Sequence, residues 1–333
     1  MRQIPLSLKL MFAVFLPLFP ACAGQGQKPV PRPEPPELER IIGNQLSSSI
    51  RIAWKSSEPQ STNLFIYSTA APRVDEKLMR RVAEKFSVTG EISPIPADKD
   101  GEIGFWIRET NPTNSAKSRC VSFSLVSGSF AYSSGDDGYR WDIKNHKPLM
   151  RGVPDKEEAK RMALELLPLL GLSTNDLEHY SNGRIRWASS APEIGYTDRA
   201  DKQRKKAVIA RNVNFFQRVP GGGVTAGVGN AGQLRFSFVS EGKVASIEWF
   251  FRKLVTAGQA KPKTSKEIKR DIRSRNAWTW RQTVPSSLTV TDCALAYPQG
   301  NSWLDQKFVW PFYMVTGTNS EGIGMTLFVP LEW

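Results

Sequence analysis

The sequence is short of the residues that usually build catalytic and metal centres, with three cysteines and two histidines in 333 positions. Neither His146 nor His179 has a second His, Cys or paired carboxylate at a ligand spacing, so the pattern assigns no metal site. Serines are plentiful, but none stands in a Gly-x-Ser-x-Gly elbow, and Cys120 and Cys293 have no histidine nearby. No catalytic residue and no cofactor site is therefore assigned. Acidic side chains are also in deficit, 32 Asp plus Glu against 45 Lys plus Arg, for a formal charge of +13. No apolar run is long enough to span a bilayer as a mature helix. With 40% hydrophobic and 10% aromatic residues, the chain is neither a wholly disordered tail nor a collagen or coiled-coil rod.

What is present begins with an address. Arg2 and Lys9 precede the apolar stretch Leu10 to Phe19, and Pro20 and the small residues Ala21-Cys22-Ala23-Gly24 follow. This order reads as a secretory signal peptide over 1–23, which makes the mature protein extracytoplasmic, periplasmic or secreted. Two processing sites compete. Ala21 and Ala23 suit cleavage before Gly24, whereas Cys22 resembles the acylated cysteine of a bacterial lipoprotein. A chain beginning at Gly24 keeps a charge of +11. Its cysteines are then Cys120 and Cys293, which either pair in an oxidising compartment or pack as small buried hydrophobes.

Pro29, Pro31, Pro33, Pro35 and Pro36 make a Pro-rich linker of 24–44, read as an extended stalk. Strand-forming segments and a helix capped by Asp75, with Leu78, Met79, Val82, Ala83 and Phe86 at helical spacing, predict an N-terminal α+β domain over 45–152. A turn is expected at Asp136-Asp137-Gly138. Over 153–260, Asp155 and Glu158 have capping-box spacing, and Ala159, Met162, Ala163, Leu166, Leu167 and Leu170 form an apolar stripe before several strands. Thr264 with Glu267 opens a third helix, followed by strands, over 261–333. The order of helix and then strands thus recurs three times, which predicts an α+β fold of repeated units, each a helix laid on an antiparallel sheet.

The helix of Asp155 to Leu170, then Val213-Asn-Phe-Phe-Gln-Arg-Val219 and Leu234-Arg-Phe-Ser-Phe-Val-Ser-Glu-Gly-Lys-Val-Ala-Ser-Ile247, resembles PepSY-like domains of the extracytoplasmic regulators YycH and YycI. Cys293-Ala-Leu-Ala-Tyr297 with Phe308-Val-Trp-Pro-Phe-Tyr313 looks like their paired terminal strands. The resemblance covers mainly 155–333. It implies an exported α+β domain that binds protein or modulates a partner, with no catalytic residues to carry over.

Gly227-Val-Gly229-Asn-Ala-Gly232 has the spacing of a dinucleotide fingerprint. The following Leu234 to Val239 alternates as a strand, so no helix N-terminus is available for a pyrophosphate, and Gly221 to Gly232 reads as a flexible hairpin connection. Two basic clusters stand out. Arg199, Lys202, Arg204, Lys205, Lys206 and Arg211 face only Asp201. Lys261, Lys263, Lys266, Lys269, Arg270, Arg273, Arg275 and Arg281 face Glu267 and Asp271. Such clusters attract polyanions, and Trp278 and Trp280 lie within the second, where an exposed indole can anchor a partner. Lys266, Lys269, Arg270, Arg273, Arg275, Trp278, Trp280 and Arg281 are accordingly the candidate partner-binding residues. The function this predicts is a non-catalytic binding or regulatory module for an envelope protein or anionic envelope polymer. Membrane contact is expected only through a lipid on Cys22, and no physiological nucleic acid is expected. The alternatives are an envelope hydrolase acting on glycan or peptide, with a site formed only in the fold, and a structural assembly protein.

Overall fold

The computed structural model describes residues 30–70, 74–95, 104–109, 118–135, 140–142, 147–149, 152–198, 202–227, 232–281, 283–300 and 306–332. The elements lie in the compact unit Arg32–Trp333. The signal segment, the start of the linker, Cys22, the turn at 136–138, His146 and Trp303 lie outside the described residues.

Four α-helices form, three of them where the caps and stripes place them. The first, α1 (Pro35–Ile42), lies within the linker expected to be extended and corrects that reading over these residues. Its two prolines occupy the first turn, where a missing N–H costs nothing, and Leu38, Ile41 and Ile42 form a buried stripe. In α2 (Glu76–Lys85), Asp75 accepts from Leu78 N at 2.9 Å, and Leu78, Met79, Val82 and Ala83 are buried. In α3 (Lys156–Glu165), Asp155 accepts from Glu158 N at 2.9 Å, and a 3₁₀ turn, Leu167–Leu170, follows where Pro168 interrupts the helix. The fourth, α4 (Ser265–Arg273), has the full reciprocal box between Thr264 and Glu267.

Strands dominate the described chain, and most of them assemble into two large sheets. An eight-stranded sheet runs in the spatial order Trp187–Ser190, Arg211–Phe216, Gln233–Phe238, Val244–Trp249, Phe130–Ser133, Cys120–Ser124, Gly104–Arg108, Ile92–Ile95, antiparallel throughout. Its seam pairs Ile247 with Tyr132 and Trp249 with Phe130, joining strands from two of the expected domains. Helices α2 and α3 cover one face, over a core that includes Met79, Val82, Val121, Phe130, Phe215, Phe236 and Ile247.

The seven-stranded sheet is built around Ser287–Gln299, a strand of 13 residues. Phe312–Thr318 pairs antiparallel along it, followed outward by Gly324–Pro330, Trp278–Thr279 and Asn44–Gln45. Arg51–Trp54 pairs parallel with the start of the long strand, and Val224–Gly227 pairs parallel with its end. Gly43, at φ +86°, allows the approach at one edge, because a Cβ there would lie 2.5 Å from Thr279 O.

This architecture corrects the expected fold class. The chain is not a series of repeated helix-plus-sheet units but a mostly β structure with large sheets whose strands come from distant parts of the sequence. Segment patterns mark which residues form strands, whereas pairing follows whichever apolar faces bury each other, and here those faces lie far apart in the chain. The glycine-rich segment joins Arg211–Phe216 to Gln233–Phe238, which pair antiparallel as its reading as a hairpin connection expects, and within it Val224–Gly227 crosses to pair parallel with Ser287–Gln299.

Candidate functional site

The candidate surface is built on α4. Ile268 and Ile272 are fully buried and face Arg51–Trp54 and Gly324–Pro330, which leaves the basic residues on the outer side. Lys266, Arg270 and Arg273 fall at helical spacing along one exposed stripe, and they line a cavity of about 700 Å³ with Thr264, Glu267 and Ser274. Lys269 is half-buried, its Nζ 5.9 Å from the Trp54 ring centroid.

Both ends of the helix suit its charge pattern. At the N-terminus, Glu267 Oε2 accepts from Thr264 N at 2.8 Å and Thr264 Oγ1 at 2.9 Å. Glu58 Oε2 accepts from Ser265 N at 3.0 Å, and its Oε1 accepts from Ser265 Oγ at 2.5 Å. These hydrogen bonds, from the Ser265 hydroxyl first for Glu58 and from the Thr264 amide first for Glu267, hold both carboxyls below the ordinary carboxylate range. At the C-terminus, Arg270 and Arg273 complement the helix dipole. Arg275 stops the helix in the left-handed region, φ 66°, where glycine is the usual residue.

On the inner side, Lys263 Nζ donates to Asp271 Oδ2 at 2.7 Å and to Pro330 O at 2.6 Å. This buried pair ties α4 to the last strand and leaves Lys263 out of the exposed cluster. Lys266, Arg273, Arg275 and Arg281 are exposed and have no carboxylate partner among the described residues. In the first basic cluster two of the cations are paired, Lys205 with Asp198 at 2.9 Å and Lys206 with Glu193 at 3.3 Å, on the ribbon formed by Glu193–Thr197 and Arg204–Val208.

The two tryptophans separate. Trp278 is 4% exposed and belongs to the core, while Trp280 is 42% exposed with its ring centroid 4.8 Å from that of Phe328. Cys120 and Cys293 lie on strands of different sheets and are free thiols. Among the described residues no group of three or more His, Cys, Asp or Glu forms that could hold a metal, and no helix is long and apolar enough to cross a membrane.

A second polar cluster has no signature in the sequence. Gln217 Nε2 donates to Arg252 O at 2.5 Å, and Gln217 Oε1 accepts from Arg252 N at 3.1 Å and Gln299 Nε2 at 3.3 Å. Thr225 Oγ1 donates to Gln217 O at 2.7 Å, and Thr225 N donates to Glu178 Oε2 at 3.2 Å. Burial raises Glu178 above the ordinary carboxylate range, against the pull of Arg186 at 2.8 Å. This network fastens the end of Arg211–Phe216 to the long strand of the other sheet. Gly232, at φ +66°, is required beside it, since a Cβ there would overlap Thr225 Cγ2.

No family model matches the sequence, and no curated protein matches it. Among solved structures, the fold is similar to an uncharacterized protein from Eubacterium rectale ATCC 33656, at 12% identity and TM-score 0.43, covering 84% of this chain and 86% of that one. It is also similar to the Bacillus megaterium YpeB C-terminal domain, at 13% identity and TM-score 0.37, covering 78% of this chain and 94% of that one.

Proposed function

We propose that this chain is an exported, non-catalytic binding module that associates with an acidic partner of the cell envelope through the outer face of α4 and Trp280. The observation that carries the reading is the exposed basic stripe of α4, where Lys266 and Arg273 have no carboxylate partner among the described residues, in a protein that also exposes the Trp280 indole, whereas Lys205 and Lys206 of the other basic cluster pair with Asp198 and Glu193. Uncompensated cations of this kind raise the association rate with an acidic surface, and an aromatic ring that becomes buried holds the complex. The export signal supplies the compartment of the proposal.

The test is proximity crosslinking in intact cells, comparing the wild type with a Lys266→Gln, Arg270→Gln, Arg273→Gln, Arg275→Gln variant. One envelope protein or polymer captured by the wild type and lost from the variant supports the reading. Equal capture by both, or an association rate that changes by less than about twofold at low salt, overturns it.

A further inference from the structure

The eight-stranded sheet carries its apolar stripe beyond the helices that cover it. Ile247 is fully buried; Trp249 continues the same face but is only partly covered, and Phe251 turns its ring edge-on to it, centroids 6.3 Å apart at 86°. The stripe opens here into a cavity of about 520 Å³, whose other walls include Arg218, Arg252, Lys253 and Asn175. The one carboxylate lining it, Asp176, has Oδ2 accepting from Ser173 N at 2.8 Å and Ser173 Oγ at 2.9 Å, so the lining carries three cations against one anion. Arg218 and Lys253 are exposed and have no carboxylate partner among the described residues. The indole N–H of Trp249 is buried without an acceptor among them.

Partly exposed rings beside an excess of cations are complementary to a ligand that has both a flat apolar face and a negative charge. The volume lies in the range of small-molecule sites, roughly 300–1,000 Å³. The cavity is open to solvent and is lined in part by the exposed residue Asn175, so a bound ligand stays partly hydrated, which suits a hydroxylated ring. We propose that this cavity binds an acidic sugar, its ring C–H face against Trp249 and Phe251 and its carboxylate toward Arg218 and Lys253. None of these residues belongs to α4, so the site stands or falls independently of the binding surface there.

Calorimetric titration of the purified chain with trigalacturonic acid tests this, with maltotriose as the uncharged counterpart. Saturable binding of one trigalacturonate per chain is expected, with maltotriose weaker by about tenfold or more. The Arg218→Gln, Lys253→Gln variant, altered only at exposed positions and checked for its fold by circular dichroism, should lose about tenfold in trigalacturonate affinity. No saturable binding, equal binding of maltotriose, or an unchanged affinity in the variant overturns the proposal. Displacement of the sugar by an equal concentration of inorganic phosphate also overturns it, since the site would then recognise a bare anion.

Discussion

Lys263 and Asp271 expose only 5% and 10% of their side chains, and each is tolerable there because the other is present. Pro330 O takes a second ammonium proton of Lys263, while Arg270 Nε, 3.8 Å from Asp271 and largely exposed, adds little. Lys263→Met leaves a buried carboxylate without its counter-charge and should lower the unfolding free energy by about 3–5 kcal/mol. Adding Asp271→Leu should recover most of that loss, because an apolar pair of similar volume needs no compensation. Urea denaturation measures both, and a double variant no better than the single one would refute the assignment. Cys293 shows the opposite use of burial. Desolvation, aided by Asp292 and Glu58, pushes its thiol up to about 12, so it stays protonated at neutral pH and packs as an apolar side chain.

At the scale of the element, α4 brings together carboxylates from two parts of the chain. Glu267 comes from its own first turn and Glu58 from a segment 207 residues before Ser265, and both meet the helix N-terminus as hydrogen-bond acceptors. Their folded pKa values lie below the unfolded one of 4.5. The stability they supply is therefore complete above the unfolded value and is lost as pH falls through the folded ones. Glu178, shifted the other way, adds nothing to this acid loss, since protonation relieves the cost of its burial. Between about pH 5 and pH 3 the thermal midpoint of the wild type should drop more steeply than that of a Glu58→Gln, Glu267→Gln variant. Parallel slopes in calorimetric scans would show that these carboxylates do not hold the helix end. Acidification also loosens the element that displays Lys266, Arg270 and Arg273, so partner binding should weaken over the same range.

In the molecule as a whole, the seam between Phe130–Ser133 and Val244–Trp249 makes one sheet of strands that patterning alone assigns to separate domains. Phe130 is buried at that seam, its ring 6.5 Å from Trp249. Phe130→Ala should cost about 3–5 kcal/mol. It should also lower hydrogen-exchange protection together in 120–133 and 234–249, whereas loss confined to one side would argue for independent domains. What the sequence by itself determined was local. Capping residues such as Asp75, Asp155 and Thr264 start helices because they satisfy amides within three positions, and apolar spacing identifies the face each element must bury. The excess of cations and the candidate cluster on α4 were legible for the same reason, since charge is additive along a chain. Only the tertiary structure decided that Trp278 goes inside and Trp280 stays out, that Lys263 is neutralised by Asp271 while Arg273 is not, and that Val224–Gly227 crosses to the other sheet. Those outcomes depend on which distant faces meet, and a strand's pattern states that it needs a partner without naming one.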